Sequence, residues 1–109
     1  MKYSIDQLEE AEEFLDELEE STQLKFAKVF RKVQDGTNSA NDFKKLPGTN
    51  GIYELRVEDK GAWYRVLAFM VRFEGEKQPT IVATHGFKKK KNKTPQSEID
   101  KAERQKRDY

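Results

Sequence analysis

The distribution of apolar and polar positions begins with two stretches of helical period. Within residues 6–19, and again within residues 24–33, apolar side chains recur every three or four positions. Ser21 or Thr22 can cap the second stretch, and Gly36 follows it as a natural helix end. The pattern therefore predicts a helical hairpin within residues 1–36, to which residues 1–4 could add a short strand.

A period of two replaces the helical period after a polar loop at residues 37–51. Residues 52–73 alternate as two strands joined at Asp59-Lys60-Gly61, and TIVATHGF, residues 80–87, reads as a third strand. Thr94-Pro95 then predicts the start of a helix over residues 95–107, with the threonine as its cap. The order indicates an α+β fold, in which two N-terminal helices pack on a small antiparallel sheet and a C-terminal helix follows.

Length and composition are typical of one folded domain. The 109 residues are expected to form a single unit over 1–109, made of the hairpin (1–36), the sheet (52–87) and a basic loop with the last helix (88–109). The absence of cysteine excludes disulfides and thiolate zinc sites. The sequence contains no long apolar run and no signal-peptide pattern, so we expect a cytoplasmic protein without membrane contact.

Charge is distributed unevenly although the net charge is only +1. Nine acids and one lysine fall within residues 1–20, whereas THGFKKKKNKTP, residues 84–95, contains five lysines. Such a run is either a solvated surface or an edge that binds phosphate groups. The charge pattern alone does not choose between them.

Alternation along the strands indicates which side chains can meet. Glu54 and Arg56 should look away from the core, and Arg65 joins them if it takes the same side of the next strand. His85 and Lys88 then follow at the end of the third strand. These five residues would form one open face with Trp63 nearby. An equally open interpretation is a cross-strand ladder of salt bridges with a structural histidine.

An open face of this composition fits metal-free cleavage of RNA. Glu54 could take the proton of a 2′-hydroxyl and His85 could protonate the leaving oxygen. Arg56, Arg65 and Lys88 could stabilise the charge that develops on phosphorus, while Trp63 stacks on a base. We find no metal-binding, phosphate-loop, dinucleotide or Ser-His-Asp signature, so neither a metal nor another cofactor is expected.

Three segments in a fixed order resemble a known family. LPGTNGIYELR, WYRVLAF and HGFKKKKNKTPQSEIDKAERQKRDY, which together lie within residues 46–109, resemble the HigB-like, phage-derived branch of the RelE/ParE toxin superfamily. The resemblance implies the toxin of a type II toxin–antitoxin system. It also implies a ribosome-dependent, metal-free mRNA endonuclease that inhibits translation. Its partners would be the ribosome, mRNA and a DNA-binding HigA-like antitoxin, in a toxin–antitoxin hetero-oligomer.

The resemblance also implies which residues would act. Arg56, Arg65 and Lys88 fall on working positions of the superfamily, whereas Glu54 and His85 match acid–base positions that only some members use. The remaining lysines of the run would bind RNA; they are Lys89, Lys90, Lys91 and Lys93. Two alternatives stay open: a ParE-like toxin that inhibits gyrase without nuclease activity, and a module that binds RNA without cleaving it.

Overall fold

A computed structural model describes residues 2–89 and 93–109 of the chain. Its elements in chain order are β1 (Ser4–Gln7), α1 (Glu9–Asp16), α2 (Glu20–Asp35), β2 (Phe43–Lys45), β3 (Ile52–Asp59), β4 (Ala62–Val71), β5 (Thr80–Lys89) and α3 (Gln96–Asp108). The strands form one sheet in the order β1-β5-β4-β3-β2, in which only β1 runs parallel to its neighbour. The fold is α+β, as the sequence predicts.

Two details of the predicted arrangement are wrong. The chain starts with a strand at Ser4–Gln7, where the pattern places the beginning of the first helix, and a second short strand lies at Phe43–Lys45 within the predicted loop. The sheet is therefore mixed and has five strands among the described residues, not three antiparallel ones. Strands of three or four residues show too little alternation to be recognised, and they form here because a neighbouring strand pairs with them.

The sheet carries apolar side chains on both faces. Helices α1 and α2 pack on one face, where their Ala11, Phe26 and Val33 meet Leu55 and Val66 of the strands. Helix α3 packs on the other face, where Ile99 and Ala102 meet a cluster of sheet residues that includes Leu67, Phe69 and Val82. We call this second face the α3 face. Helix α3 is roughly 20 Å long whereas strand β4 spans roughly 33 Å, so one end of the α3 face is left for polar side chains.

The start of α2 is tied to the hairpin between β3 and β4. The hydroxyl groups of Ser21 and Thr22 each donate a hydrogen bond of 2.7 Å to the Asp59 carboxylate, and the Lys25 ammonium lies 3.0 Å from the same group. These donors hold the pKa of Asp59 well below its usual range. Ser21 and Thr22 therefore anchor α2 to the sheet. The prediction that one of them caps the helix is wrong, because α2 begins after Glu19 without a side-chain cap.

Gly86 marks the closest approach of α1 to the sheet. A Cβ atom built on Gly86 would lie 2.1 Å from Cδ2 of Phe14, far inside van der Waals contact. The aromatic ring of α1 thus lies directly on the backbone of β5. Glycine is required in the HGF segment because the ring occupies the space of a side chain.

We expect Gly86→Ala to destabilise the fold by about 1–3 kcal/mol or more, since the added methyl group must displace the Phe14 ring. Chemical denaturation measures the change. The matched variant is Phe14→Leu, which should recover part of the lost stability in the Gly86→Ala background although it destabilises the native sequence. A Gly86→Ala protein as stable as the native one would refute this account of the contact.

None of the helices formed by the described residues combines the length and the apolar surface that a membrane crossing needs. Within the same residues, no cluster of three or more His, Asp or Glu side chains is close enough to hold a metal ion.

Candidate active site

The uncovered end of the α3 face collects the charged residues of three strands. Arg56 lies directly opposite Arg65, Glu54 lies opposite Leu67, and Trp63 lies opposite Lys89. Directly paired residues share a sheet face. The alternation left the side of Arg65 open; the structure places it on the face of Glu54 and Arg56, with Trp63 beside them, and adds Lys89.

Glu54 and Arg65 form a buried ion pair at the centre of this group. Their side chains are 1% and 4% exposed, and Nη1 of Arg65 donates to Oε1 of Glu54. The other carboxylate oxygen accepts a hydrogen bond from the hydroxyl of Thr94. The expectation that Glu54 lies on an open face is therefore wrong, because Thr94 and its loop cover it. A carboxylate with both oxygens occupied is suited to fixing Arg65, and this geometry does not support Glu54 as a base.

Arg56 and Trp63 form the solvent-facing part of the group. Nε of Arg56 donates to the carbonyl oxygen of Asn41 at 3.0 Å and lies 4.0 Å from the Glu54 carboxylate. The Trp63 ring is 40% exposed, and its centroid lies 6.0 Å from Cζ of Arg56 and 5.6 Å from Cζ of Arg65. Two guanidinium groups thus flank one exposed indole, an arrangement that offers cations for phosphate and a ring for stacking.

Lys89 places a buried amine in the same group. The residue is 6% exposed, and its Nζ has no hydrogen-bond partner within residues 2–89 and 93–109. Burial, and next the positive charge of Arg65, lower the pKa of Lys89 to about 8, against the opposing effect of Glu54. A lysine with a pKa this close to neutrality can exchange a proton during a reaction, which an ordinary lysine does poorly.

A bulge in β5 decides which lysine reaches the site. Leu67 pairs with His85 but Ala68 pairs with Ala83, so Thr84 is an extra residue that reverses the alternation beyond it. Lys88 consequently lies on the opposite face, with its Nζ 5.9 Å from the ring centroid of Tyr64. The prediction that Lys88 joins Arg65 on one face is therefore wrong, and Lys89 takes that position.

His85 lies on the α3 face but not in the open group. It is 3% exposed, its Nδ1 lies 3.0 Å from the Thr84 hydroxyl, and its Nε2 lies 3.1 Å from the Glu98 carboxylate of α3. Burial first, and then the charge of Lys101, lower the pKa of His85 below its usual value. Four residues of strand, roughly 13 Å, separate it from Lys89. This corrects the predicted open position, and the geometry favours a structural histidine that joins α3 to the sheet.

Two cavities adjoin the charged group. One of about 800 Å³ lies between the β2–β3 loop, the end of β5 and the start of α3, and its lining includes Lys88, Lys89 and Lys93. The other, of about 320 Å³, extends between Lys44 and Thr94 to Glu54. Lys93 is exposed, and Lys90 and Lys91, which were also predicted to bind RNA, lie outside the described residues.

Sequence reasoning missed two residues of this site. Lys44 lies opposite Glu54 on β2, where no strand was predicted, and Thr94 bonds Glu54 instead of capping α3. The lysine pair in FKKLPG was a visible signal for Lys44. Because no strand was predicted there, the sequence could not assign Lys44 to a face of the sheet. No sequence signal pointed to a threonine that reaches forty residues back along the chain.

Comparison with solved structures places the fold among RelE proteins. A chain of the intact E. coli RelBE toxin–antitoxin complex aligns with a TM-score of 0.61 at 17% identity, covering 82% of this chain and 99% of that chain. A variant of E. coli toxin RelE in the free state aligns with a TM-score of 0.64 at 18% identity, covering 96% of this chain and 98% of that chain. A chain of the archaeal RelE–RelB complex from Pyrococcus horikoshii OT3 aligns with a TM-score of 0.53 at 23% identity, covering 79% of this chain and 93% of that chain. Identities this low show a shared fold only.

No curated protein sequence matches the chain significantly. The family described as phage derived protein Gp49-like, in contrast, matches residues 13–107. This match includes the second half of α1, all of α2, strands β2 to β5 and almost all of α3. We conclude that the chain belongs to the phage-derived Gp49-like family.

Proposed function

We propose that this chain is the toxin of a type II toxin–antitoxin system and that it cleaves mRNA on the ribosome. The observation that carries the proposal is the group of Arg56, Trp63, Arg65 and Lys89, in which cations surround an exposed ring. Membership of the Gp49-like family and the RelE fold support the toxin assignment. The RelE neighbours include complexes with an antitoxin, and we propose a HigA-like antitoxin here, in keeping with the HigB-like segments. The toxin would act in the cytoplasm.

The arginines would bind the phosphodiester that is cut. Arg56 is the more accessible of the two and can donate to a phosphate oxygen, while buried Arg65 provides positive charge at a position that Glu54 holds fixed. Fixed charge is effective because it needs no rearrangement when the negative charge grows in the transition state. Trp63 would stack on a neighbouring base and hold the nucleotide in place.

Lys89 would supply the proton that the leaving 5′-oxygen takes up. Attack of the 2′-hydroxyl oxygen on phosphorus forms a cyclic phosphate and breaks the bond to the 5′-oxygen. The hydroxyl proton passes to water, and the Lys89 ammonium protonates the departing 5′-oxygen before it regains a proton from solvent. An anionic phosphate beside Lys89 would favour its protonated form. The amine thus starts the step charged, as an acid must.

We expect the purified chain to cut mRNA on programmed ribosomes, and Arg56→Ala to lower the rate of cleavage about 10²–10³-fold. Arg72→Ala, which removes an exposed arginine outside the charged group, is the matched control and should cut normally. The measurement maps cleavage ends with and without ribosomes. A folded protein that arrests growth but leaves mRNA intact in both reactions would overturn the proposal and favour a gyrase-type target.

A further inference from the structure

A second basic surface begins where the charged group ends. Strand β2 pairs with β3 as far as Leu55, and the N–H of Arg56 still donates to the carbonyl oxygen of Asp42 at 3.0 Å. Beyond Arg56, no strand of the described residues pairs with that edge of β3. Helix α2 runs beside this edge, and a groove of about 480 Å³ lies between them. Arg56 and Trp63 belong to its lining as well as to the charged group. The groove is thus continuous with the candidate active site.

Charge in the groove is predominantly positive. Helix α2 contributes Lys25, Lys28 and Lys32, whose spacing of three and four residues places them on one side of the helix. Together with Arg56 the lining contains four basic residues and two acidic ones, Asp42 and Glu58. The chain as a whole has a net charge of only +1, so the surplus is local.

The three lysines differ in how firmly the protein holds them. Lys25 is bound to the Asp59 carboxylate at 3.0 Å and to the Glu58 carbonyl at 2.9 Å. Lys32 lies 4.0 Å from the Asp42 carboxylate, a distance at which an exposed pair contributes little. Lys28 forms no ion pair within the described part of the chain. Lys28 and Lys32, about 6 Å apart along the helix axis, are therefore available to an anion.

We infer that this groove binds the backbone of single-stranded RNA that continues from the cleaved nucleotide. Single-strand sites combine a basic groove that follows the phosphates with an aromatic ring that stacks a base. Here the ring of Trp63 stands at the junction and the lysines lie beyond it. The inference rests on the proposed function for the direction of the strand, but RNA binding by the groove can be measured without cleavage.

The test compares two double variants that lose the same charge. In Lys28→Gln with Lys32→Gln the groove is neutralised, whereas in Arg72→Gln with Lys77→Gln two exposed residues of the β4–β5 turn are changed. That turn lies at the far end of β4, eight or more residues from Trp63, so roughly 26 Å away. Binding of a fluorescent single-stranded RNA of about twelve nucleotides is measured at several salt concentrations.

We expect the groove variant to bind about ten-fold more weakly near 0.1 M salt. The slope of log K against log salt should decrease in magnitude by about 1.4, or about 0.7 for each lost phosphate contact. The control variant should bind as the native protein does. Equal losses in both variants, or native binding by the groove variant, would overturn the inference. Absence of RNA binding by the native protein would also overturn the inference. An acidic protein segment would then be the ligand that fits the basic groove.

Two further outcomes separate this inference from the proposed function. A chain that binds RNA through the groove but cuts nothing on ribosomes supports the inference and refutes the nuclease. A groove variant that loses binding of a duplex of the same sequence, but not of the single strand, refutes the inference. The groove would then dock structured RNA, and the nuclease proposal would stand.

Discussion

Replacement of Lys89 by arginine should abolish cleavage even though it keeps the positive charge. A guanidinium group remains protonated throughout the accessible pH range and is a poor proton donor. We expect the rate of mRNA cleavage under single-turnover conditions to fall about 10²–10⁴-fold, the usual contribution of a positioned acid. Lys89→Met, which removes both charge and proton, should be at least as impaired.

The pH profile provides the second part of this test. The pKa of Lys89 is about 8 in the free chain and rises when an anionic phosphate lies beside it, so on the ribosome the ammonium is present at neutral pH and is lost as the pH rises above 8. Cleavage by the native chain should therefore be level at lower pH and fall about ten-fold per unit in the alkaline range. The residual activity of Lys89→Arg should not fall in this way. Measuring both proteins on the same ribosomes removes the pH dependence of the ribosome itself.

Lys88 is the matched control for Lys89. It is the preceding residue of the same strand, but it is exposed and its side chain points to Tyr64 on the other face. Lys88→Arg and Lys88→Met should keep the native pH profile. A fully active Lys89→Arg protein would show that Lys89 contributes charge only, and would remove proton transfer from its role.

Glu54→Gln should lower the free energy of unfolding by about 3–5 kcal/mol, because it leaves the Arg65 guanidinium buried without a compensating charge. Chemical denaturation of this small domain measures the change. Glu58→Gln, an exposed substitution on the same strand, is the control and should change stability by less than about 0.5 kcal/mol.

A paired replacement separates stability from activity at this position. In Glu54→Leu with Arg65→Met both charges are removed, and apolar side chains of similar length fill the space. Such replacements of buried ion pairs are often neutral or stabilising, so much of the lost stability should return. Cleavage should not return, because the fixed cation is gone. Retention of cleavage in the double variant would contradict the role given to Arg65.

The long elements of this protein were predictable because their patterns repeat. The helical period over residues 24–33, followed by Gly36, predicted α2. Gly36 does adopt the left-handed conformation that ends this helix. The alternation on either side of Asp59-Lys60-Gly61 predicted β3 and β4, whereas the pairing of Arg56 with Arg65 was established by the structure. A hydrophobic pattern that repeats over several helical turns or several strand positions can still be recognised when one residue departs from it.

Other features depended on contacts between distant residues. Strands β1 and β2 are too short to carry a period, and they exist because β5 and β3 pair with them. The burial of Glu54 requires Thr94, which reaches it only when α3 has packed on the sheet. Helix propensity indicated that Thr94 is a cap, whereas the tertiary structure uses its hydroxyl for the carboxylate.

The sequence by itself determined the α+β class, the two N-terminal helices and the shared sheet face of Glu54 and Arg56. It left open which side of its strand Arg65 takes, and the structure places Arg65 opposite Arg56. Only the tertiary structure decided that Lys89, and not Lys88, completes the group, and that His85 is enclosed. The reason is the extra residue Thr84 in β5. Side chains alternate with a period of two, so one inserted residue moves every later side chain of the strand to the other face.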